Sequence, residues 1–232
     1  MVHGHSGCVK IRCTCRAIHA LHHYDVRMHD PYLQPYREHI DRHGISFEAT
    51  LWASRQSQRI RFKTFTEMFD FSRQNVLDAG CSRGDFAEYL SDHKIDFKHY
   101  IGIDGLEEMI DYAKAQAISH CEFHHGDFIT HEAILSTGSP DVICISGTLN
   151  TMTDAQMMKL LEASWRAAGK SLLFNFLSDR CGTSAPPQLP PARRMDTLRL
   201  IDWALTRTHN VTFRQDYFEG GHDATILMRK GE

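Results

Sequence analysis

Apolar and polar positions change their period along this chain, and the changes mark out its elements. From Asp30 onward the pattern is regular. Residues 31–42 predict a short helix with Asp30 as cap and Pro31 in its first turn, and Gly44 ends it. Residues 47–70 predict one long helix, because Ile60, Phe62, Phe65, Met68 and Phe69 recur at near-helical spacing. Arg55, Arg59, Arg61 and Lys63 form a basic run on it, read first as a solvated face, with anion binding as the alternative. Short apolar runs then alternate with helical periods. Strands are predicted at Asn75–Ala79, 99–103, Cys121–His125, 141–145 and 170–176, and helices at 85–90, 107–117, 153–168 and 193–206. Thr153 and Gln156 stand at capping-box spacing. Residues 181–191 hold four of the seven prolines and predict an irregular loop. The chain closes on residues 210–218, a Gly220-Gly221 turn and Asp223–Arg229, which predict an antiparallel hairpin.

Strands alternating with helices imply an α/β fold, a doubly wound sheet with helices on both faces. Right-handed crossovers gather the strand C-terminal ends on one rim, where open sheets of this kind bind ligands. The 232 residues suffice for one sizeable core but not for two ordinary domains. A hydrophobic share of 42% with 24% charged residues argues against wholesale disorder. The net charge of −3 offers nucleic acid or an anionic membrane no attraction, and no apolar stretch is long enough to span a bilayer.

The 16 His and 7 Cys invite a metal or disulfide reading, and their placement weakens it. Six of the His and three of the Cys fall within residues 1–30. There His3 and His5, like Cys13 and Cys15, stand two apart, with no CxxC pair and no secretory apolar segment. Residues 1–30 are therefore expected to be a poorly ordered His/Cys-rich leader, with Met28 as a candidate start, and no metal site is assigned. This leaves a helical cap segment at 31–71 and a ligand-binding domain at 72–232.

The strongest local signal is Val76-Leu77-Asp78-Ala79-Gly80-Cys81-Ser82-Arg83-Gly84-Asp85-Phe86, a strand joined to a helix through a glycine-containing turn. Such a turn serves dinucleotides or S-adenosylmethionine. The dinucleotide form needs glycines where this chain has Ser82 and Asp85, and an acid at the helix start repels a pyrophosphate. A nicotinamide oxidoreductase is thereby the weaker alternative.

The segment resembles the first motif of the class I S-adenosylmethionine-dependent methyltransferases, with Asp78, Gly80 and Gly84 matching and Ser82 departing at the middle glycine. Tyr100-Ile101-Gly102-Ile103-Asp104 resembles the second motif. Asp104 stands 20 residues after Gly84, and a carboxylate there can accept both ribose hydroxyls. His125-Gly126-Asp127-Phe128 resembles the third, which puts an acid near the adenine amino group and an apolar residue on the ring. Residues 145–150 match the fourth strand end. The resemblance implies a Rossmann-like sheet, mostly parallel with an antiparallel C-terminal strand, preceded by N-terminal helices. It also implies cofactor contacts at Asp78, Ala79, Gly80, Cys81, Gly84, Asp104, Gly105, Asp127, Phe128, Ser146 and Gly147. His43-Gly44-Ile45-Ser46-Phe47-Glu48-Ala49 and the Ser-Gly-x-Leu-Asn and Asn-Phe-Leu-Ser-Asp segments resemble a bacterial subgroup of the family.

Methyl transfer from a sulfonium is an in-line displacement, so the protein chiefly orients the partners and excludes water. A base is needed only if the acceptor must lose a proton. Candidates on the acceptor side are His43, Asn150 and Asn175, with Trp52, Arg55, Asp179 and Arg180 nearby in the topology. His43 alone has a pKa suited to base work near neutrality. Cys81 and Cys144 are expected as small buried thiols. No Asn/Asp-Pro-Pro-aromatic segment and no basic aromatic patch occurs, so the expected partner is a small molecule covered by loop 181–191 and the N-terminal helices. Nothing in the sequence specifies an oligomeric state; the expected location is cytoplasmic. A cofactor-binding protein that has lost catalysis is a further alternative.

Overall fold

The computed structural model describes Met1 and residues 31–231. The expected leader, apart from Met1, and Asp30 as a helix cap lie outside the described residues. Seven strands form one sheet: β1 (Asn75–Ala79), β2 (His99–Asp104), β3 (Cys121–His125), β4 (Val142–Ile145), β5 (Ser171–Leu177), β6 (Val211–Arg214) and β7 (Asp223–Arg229). Their spatial order is β3-β2-β1-β4-β5-β7-β6. Strands β1 to β5 pair in parallel, and β7 runs antiparallel between β5 and β6. The order reverses at β1, so the loops after β1 and β4 leave opposite sides of one crevice, the position where such sheets bind ligands.

Alternation along the buried strands explains the two cores. In β1, Val76 packs on one face and Leu77 and Ala79 on the other. The first face meets α2 (Arg55–Met68) and α3 (Asp85–Asp92) through Phe62, Phe65, Phe86 and Leu90. The second meets α5 (Asp154–Ala167) and α6 (Thr197–Leu205) through Leu160, Leu161, Leu200 and Trp203. Met109 and Ile110 of α4 (Glu107–Ala115) join opposite cores. Near-continuous burial of these strands is what a sheet covered on both faces requires.

The N-terminal segment departs from its expected form. The first helix, α1, is Gln34–His43, and Pro35 rather than Pro31 occupies its first turn. The long helix expected at 47–70 is broken. Phe47–Thr50 form a 3-10 turn, Leu51 turns left-handed at φ 60°, and Ser54 caps a new helix by accepting from the Ser57 N–H at 3.0 Å. A Ser at the N-cap satisfies a donor that a continuous helix would not leave open, so the break is written at Ser54. Likewise α6 starts at Thr197, where Asp196 accepts from the Arg199 N–H at 3.0 Å, rather than at 193. The strand expected over 210–218 is confined to Val211–Arg214.

The basic run on α2 divides. Arg55, Arg59 and Lys63 are exposed, but Arg61 is buried at 6% exposure. Its Nε donates to Asp223 Oδ2 at 2.6 Å, and Tyr217 Oη donates to Oδ1 at 2.6 Å. Removing one partner of a buried pair leaves an uncompensated charge. Asp223→Ala is expected to cost about 3–5 kcal/mol in urea unfolding; a loss below about 1 kcal/mol, the range of exposed pairs, would show that water reaches Arg61.

Candidate active site

The turn after β1 is shaped by Gly80. Its φ is 88°, and a Cβ at this position would fall on the Thr148 side chain, whose hydroxyl donates to the Ala79 carbonyl at 3.0 Å. The absent side chain lets the turn after β1 pass under the loop after β4. Two residues on, Ser82 also has positive φ, 49°. A non-glycine residue seldom holds that conformation without support. Here its N–H donates to Asp104 Oδ2 at 2.8 Å, so the acid ending β2 anchors the turn after β1.

Asp104 Oδ1 accepts from the Leu106 N–H at 3.0 Å. Burial nevertheless pushes its carboxyl up to about 6, against the lowering effect of these N–H groups. Asp78 lies deeper. Its Oδ2 accepts from Tyr100 Oη at 2.5 Å, its Oδ1 has no partner among the described residues, and burial raises it to about 7. Asp127, after β3, is saturated: Oδ1 accepts from Tyr32 Oη and the Ile129 N–H, each at 2.8 Å, and Oδ2 from Thr130 Oγ1 at 2.8 Å. The Tyr32 hydroxyl thus ties the N-terminal segment to the third strand end.

On the other side of the crevice, Asn175 is fully buried. Its Oδ1 accepts from the Gly147 N–H at 2.8 Å, and its Nδ2 donates to Ser146 Oγ at 3.1 Å. Asn150 Oδ1 accepts from the Leu177 N–H at 3.2 Å. These two side chains fix the loop after β4 to β5. Cys81 and Cys144 are buried, and burial raises both thiols well above their ordinary value, which leaves neither suited to nucleophilic work.

A cavity of about 660 Å³ opens above these strand ends, within the usual range for small-molecule and cofactor sites. Of the residues singled out from sequence, Gly80, Asp104, Gly105, Phe128, Ser146 and Gly147 line it, as do His43, Trp52 and Asn150. Asp78, Ala79, Cys81, Gly84, Asp127, Asn175, Arg55, Asp179 and Arg180 are not among its lining residues. Its upper wall comes from the N-terminal segment, including Tyr36, His39 and Glu48, and from residues 186–192 of the proline-rich loop. Burial pushes the Tyr36 phenol up to about 12, and the Asp104 charge adds to this. Arg61, read from sequence as part of a basic run, also reaches the cavity, as do Arg194 and His222, which were not singled out from sequence. For Arg61 a signal existed: it stands four residues before Phe65 and seven before Met68, on the apolar face of its helix. Among the described residues no group of His, Cys, Asp and Glu is placed to hold a metal ion, and no helix is long and apolar enough to cross a membrane.

Residues 76–170 match the family described as a methyltransferase domain. No curated protein matches the chain. Among solved structures, magnesium protoporphyrin IX methyltransferase from Synechocystis PCC 6803 with bound SAH (S-adenosylhomocysteine) is similar at a TM-score of 0.56. It is 14% identical, over 76% of this chain and 83% of that one. A SAM (S-adenosylmethionine)-dependent methyltransferase from Archaeoglobus fulgidus gives 0.55 at 18% identity, over 76% and 95% of the two chains. The DhpI–SAH complex gives 0.58 at 16% identity, over 85% and 94%. At these identities the likeness is one of fold.

The raised carboxyls set a sign for stability. A folded-state pKa above the unfolded value contributes stability that is present at low pH and lost as pH rises through about 6 for Asp104 and about 7 for Asp78. Asp78→Asn keeps an acceptor for Tyr100 without the buried charge. Its stability relative to wild type is expected to improve by roughly 2.5 kcal/mol between about pH 5 and pH 8 in urea melts. A difference that does not change with pH would contradict the buried-charge account.

Proposed function

We infer that this chain is a class I S-adenosylmethionine-dependent methyltransferase and transfers a methyl group to a small acceptor in the cavity above the strand ends, a reading supported by the methyltransferase-domain match over residues 76–170 and by the fold. The observation that carries this reading is the closure of one cavity from both sides. Cofactor-side residues Gly80, Asp104 and Phe128 share it with the N-terminal segment and the proline-rich loop, and a polymer would need an open groove there.

The residues present suit the cofactor. Asp104 places a carboxylate on the cavity wall at the end of β2, where its remaining lone pairs can accept from ribose hydroxyls, and Phe128 lines the same wall with an apolar ring for adenine. The cradle at Gly80, where no Cβ fits, brings backbone close to the ligand. When bound, S-adenosylmethionine supplies a methyl group on a sulfonium that an acceptor displaces in line. The chain's own part is to hold the two reactants in line and keep water out. Asn175, through the Gly147 N–H and the Ser146 hydroxyl, and Asn150, through the Leu177 N–H, do this indirectly by fixing the loop after β4 to β5. Trp52 closes the wall above Gly147, where a Cβ would lie 2.8 Å from its ring. His39 and His43, with ring centroids 5.6 Å apart on α1, are the imidazoles of the N-terminal segment nearest to proton-acceptor duty.

Calorimetry with S-adenosylmethionine and S-adenosylhomocysteine tests the reading. Wild type binds both, and Asp104→Ala is expected to weaken them about 10- to 100-fold, the range for lost hydrogen bonds to a charged group. Wild-type affinity is expected to fall as pH drops below about 6, where Asp104 takes up its proton, and Asp104→Asn to be flat across that range. No binding by wild type would end the proposal.

A further inference from the structure

The cavity is longer than its cofactor half. Neighbouring strands lie about 4.8 Å apart, so from Asp104 on β2 to Ser146 after β4 is about 10 Å, and from there to β7 about 10 Å more. The end by β5 and β7 carries Arg194 and His222. Arg194 is held there by its neighbour Met195, whose N–H donates to the Leu177 carbonyl at the end of β5 at 2.7 Å.

Two arginines line the cavity, and they differ in charge balance. Arg61 is neutralised by Asp223. Arg194 has no carboxylate in ion-pair reach among the described residues. Its guanidinium donates only to carbonyl oxygens: Nη1 to Ser178 at 3.0 Å and His222 at 3.4 Å, and Nη2 to Pro186 at 2.8 Å. A guanidinium has five N–H donors, so the Nε–H and one Nη2–H are unspent, on adjacent nitrogens of one planar fork. That pair is what a carboxylate or phosphate takes bidentately. Beside it stands His222, whose ring hydrogen-bonds the Glu219 backbone and whose Nδ1 is buried without a hydrogen-bond partner among the described residues. Native proteins seldom leave such an atom unpaired unless another group completes it. A half-buried cation with two N–H donors on one edge of its fork, beside the His222 imidazole on the wall of one cavity, has the donor chemistry that an oxyanion takes.

We propose that the acceptor carries an anionic oxygen group, a carboxylate or a phosphate, bound by the Arg194 fork beside His222. This rests on the methyl-transfer reading above, and it identifies the acceptor as a small acid.

The test uses the full chain saturated with S-adenosylhomocysteine, titrated with benzoate, inorganic phosphate and neutral benzamide, and followed by protein NMR shifts. Benzoate or phosphate is expected to bind wild type, with shifts at Arg194 and His222, and benzamide to bind far more weakly. Arg194→Gln is expected to weaken the anion about 10- to 100-fold while leaving S-adenosylhomocysteine affinity unchanged. Which anion binds more tightly separates a carboxylate from a phosphate acceptor. The proposal is overturned if neither anion binds wild type, if benzamide binds equally well, or if the variant binds the anion as wild type does. It is also overturned if the variant loses the cofactor product instead, because Arg194 would then serve the methionine carboxylate. Failure of wild type to bind S-adenosylhomocysteine is a separate result and strikes the parent reading. Should Arg194→Gln not fold, Arg194→Lys replaces it: anion binding weakened about tenfold or more with S-adenosylhomocysteine affinity unchanged supports the fork, and anion binding equal to wild type overturns it.

Discussion

A buried guanidinium must be matched by a buried carboxylate, and in this protein that requirement ties the N-terminal segment to the sheet. Arg61 on α2 and Asp223 at the start of β7 are 162 residues apart in sequence and in direct contact. Isolated, either charge would be costly in the interior; paired, with Tyr217 completing the carboxylate, they are stable together. The pair also sets the surrounding aromatics. The Arg61 guanidinium lies 4.7 Å from the Trp52 ring centroid and 5.0 Å from that of Phe218, and the Phe218 ring is 4.8 Å from His222. Trp52 and His222 are both cavity wall, so one ion pair positions the cavity on two sides.

The opposite end of the cavity depends on a second link, between strands rather than between segments. The Ser82 N–H reaches the Asp104 carboxylate only because Gly80 can pass beneath Thr148. The bond compensates a left-handed serine and holds the acid in place. Its carboxyl is buried enough to be raised to about 6 and still lines the cavity. An acid that both supports its loop and faces the cavity ties the shape of the cavity wall to the integrity of the turn after β1.

How much of this was legible in the sequence follows from the range of each interaction. The succession of strands and helices, the glycine turn and the acids at strand ends are local features repeated in chain order, and the mostly parallel sheet formed as expected, with β7 antiparallel. The caps at Ser54 and Asp196 were equally local but were overridden by the apolar period, so two helices were expected to start too early. The buried Arg61 was hidden inside a basic run, because composition along a helix does not say which turn faces a partner. Arg194 and His222 carried no motif at all. They converge only because β5 and β7 are neighbours and the proline-rich loop folds back over their ends.

The most direct test of the central claim is a crystal structure of the full chain grown with S-adenosylhomocysteine. The account predicts the ribose hydroxyls within about 3 Å of the Asp104 carboxylate, with adenine against Phe128 and sulfur toward Ser146 and Gly147. Density for the nucleoside anywhere else, or a ribose turned away from Asp104, would contradict it.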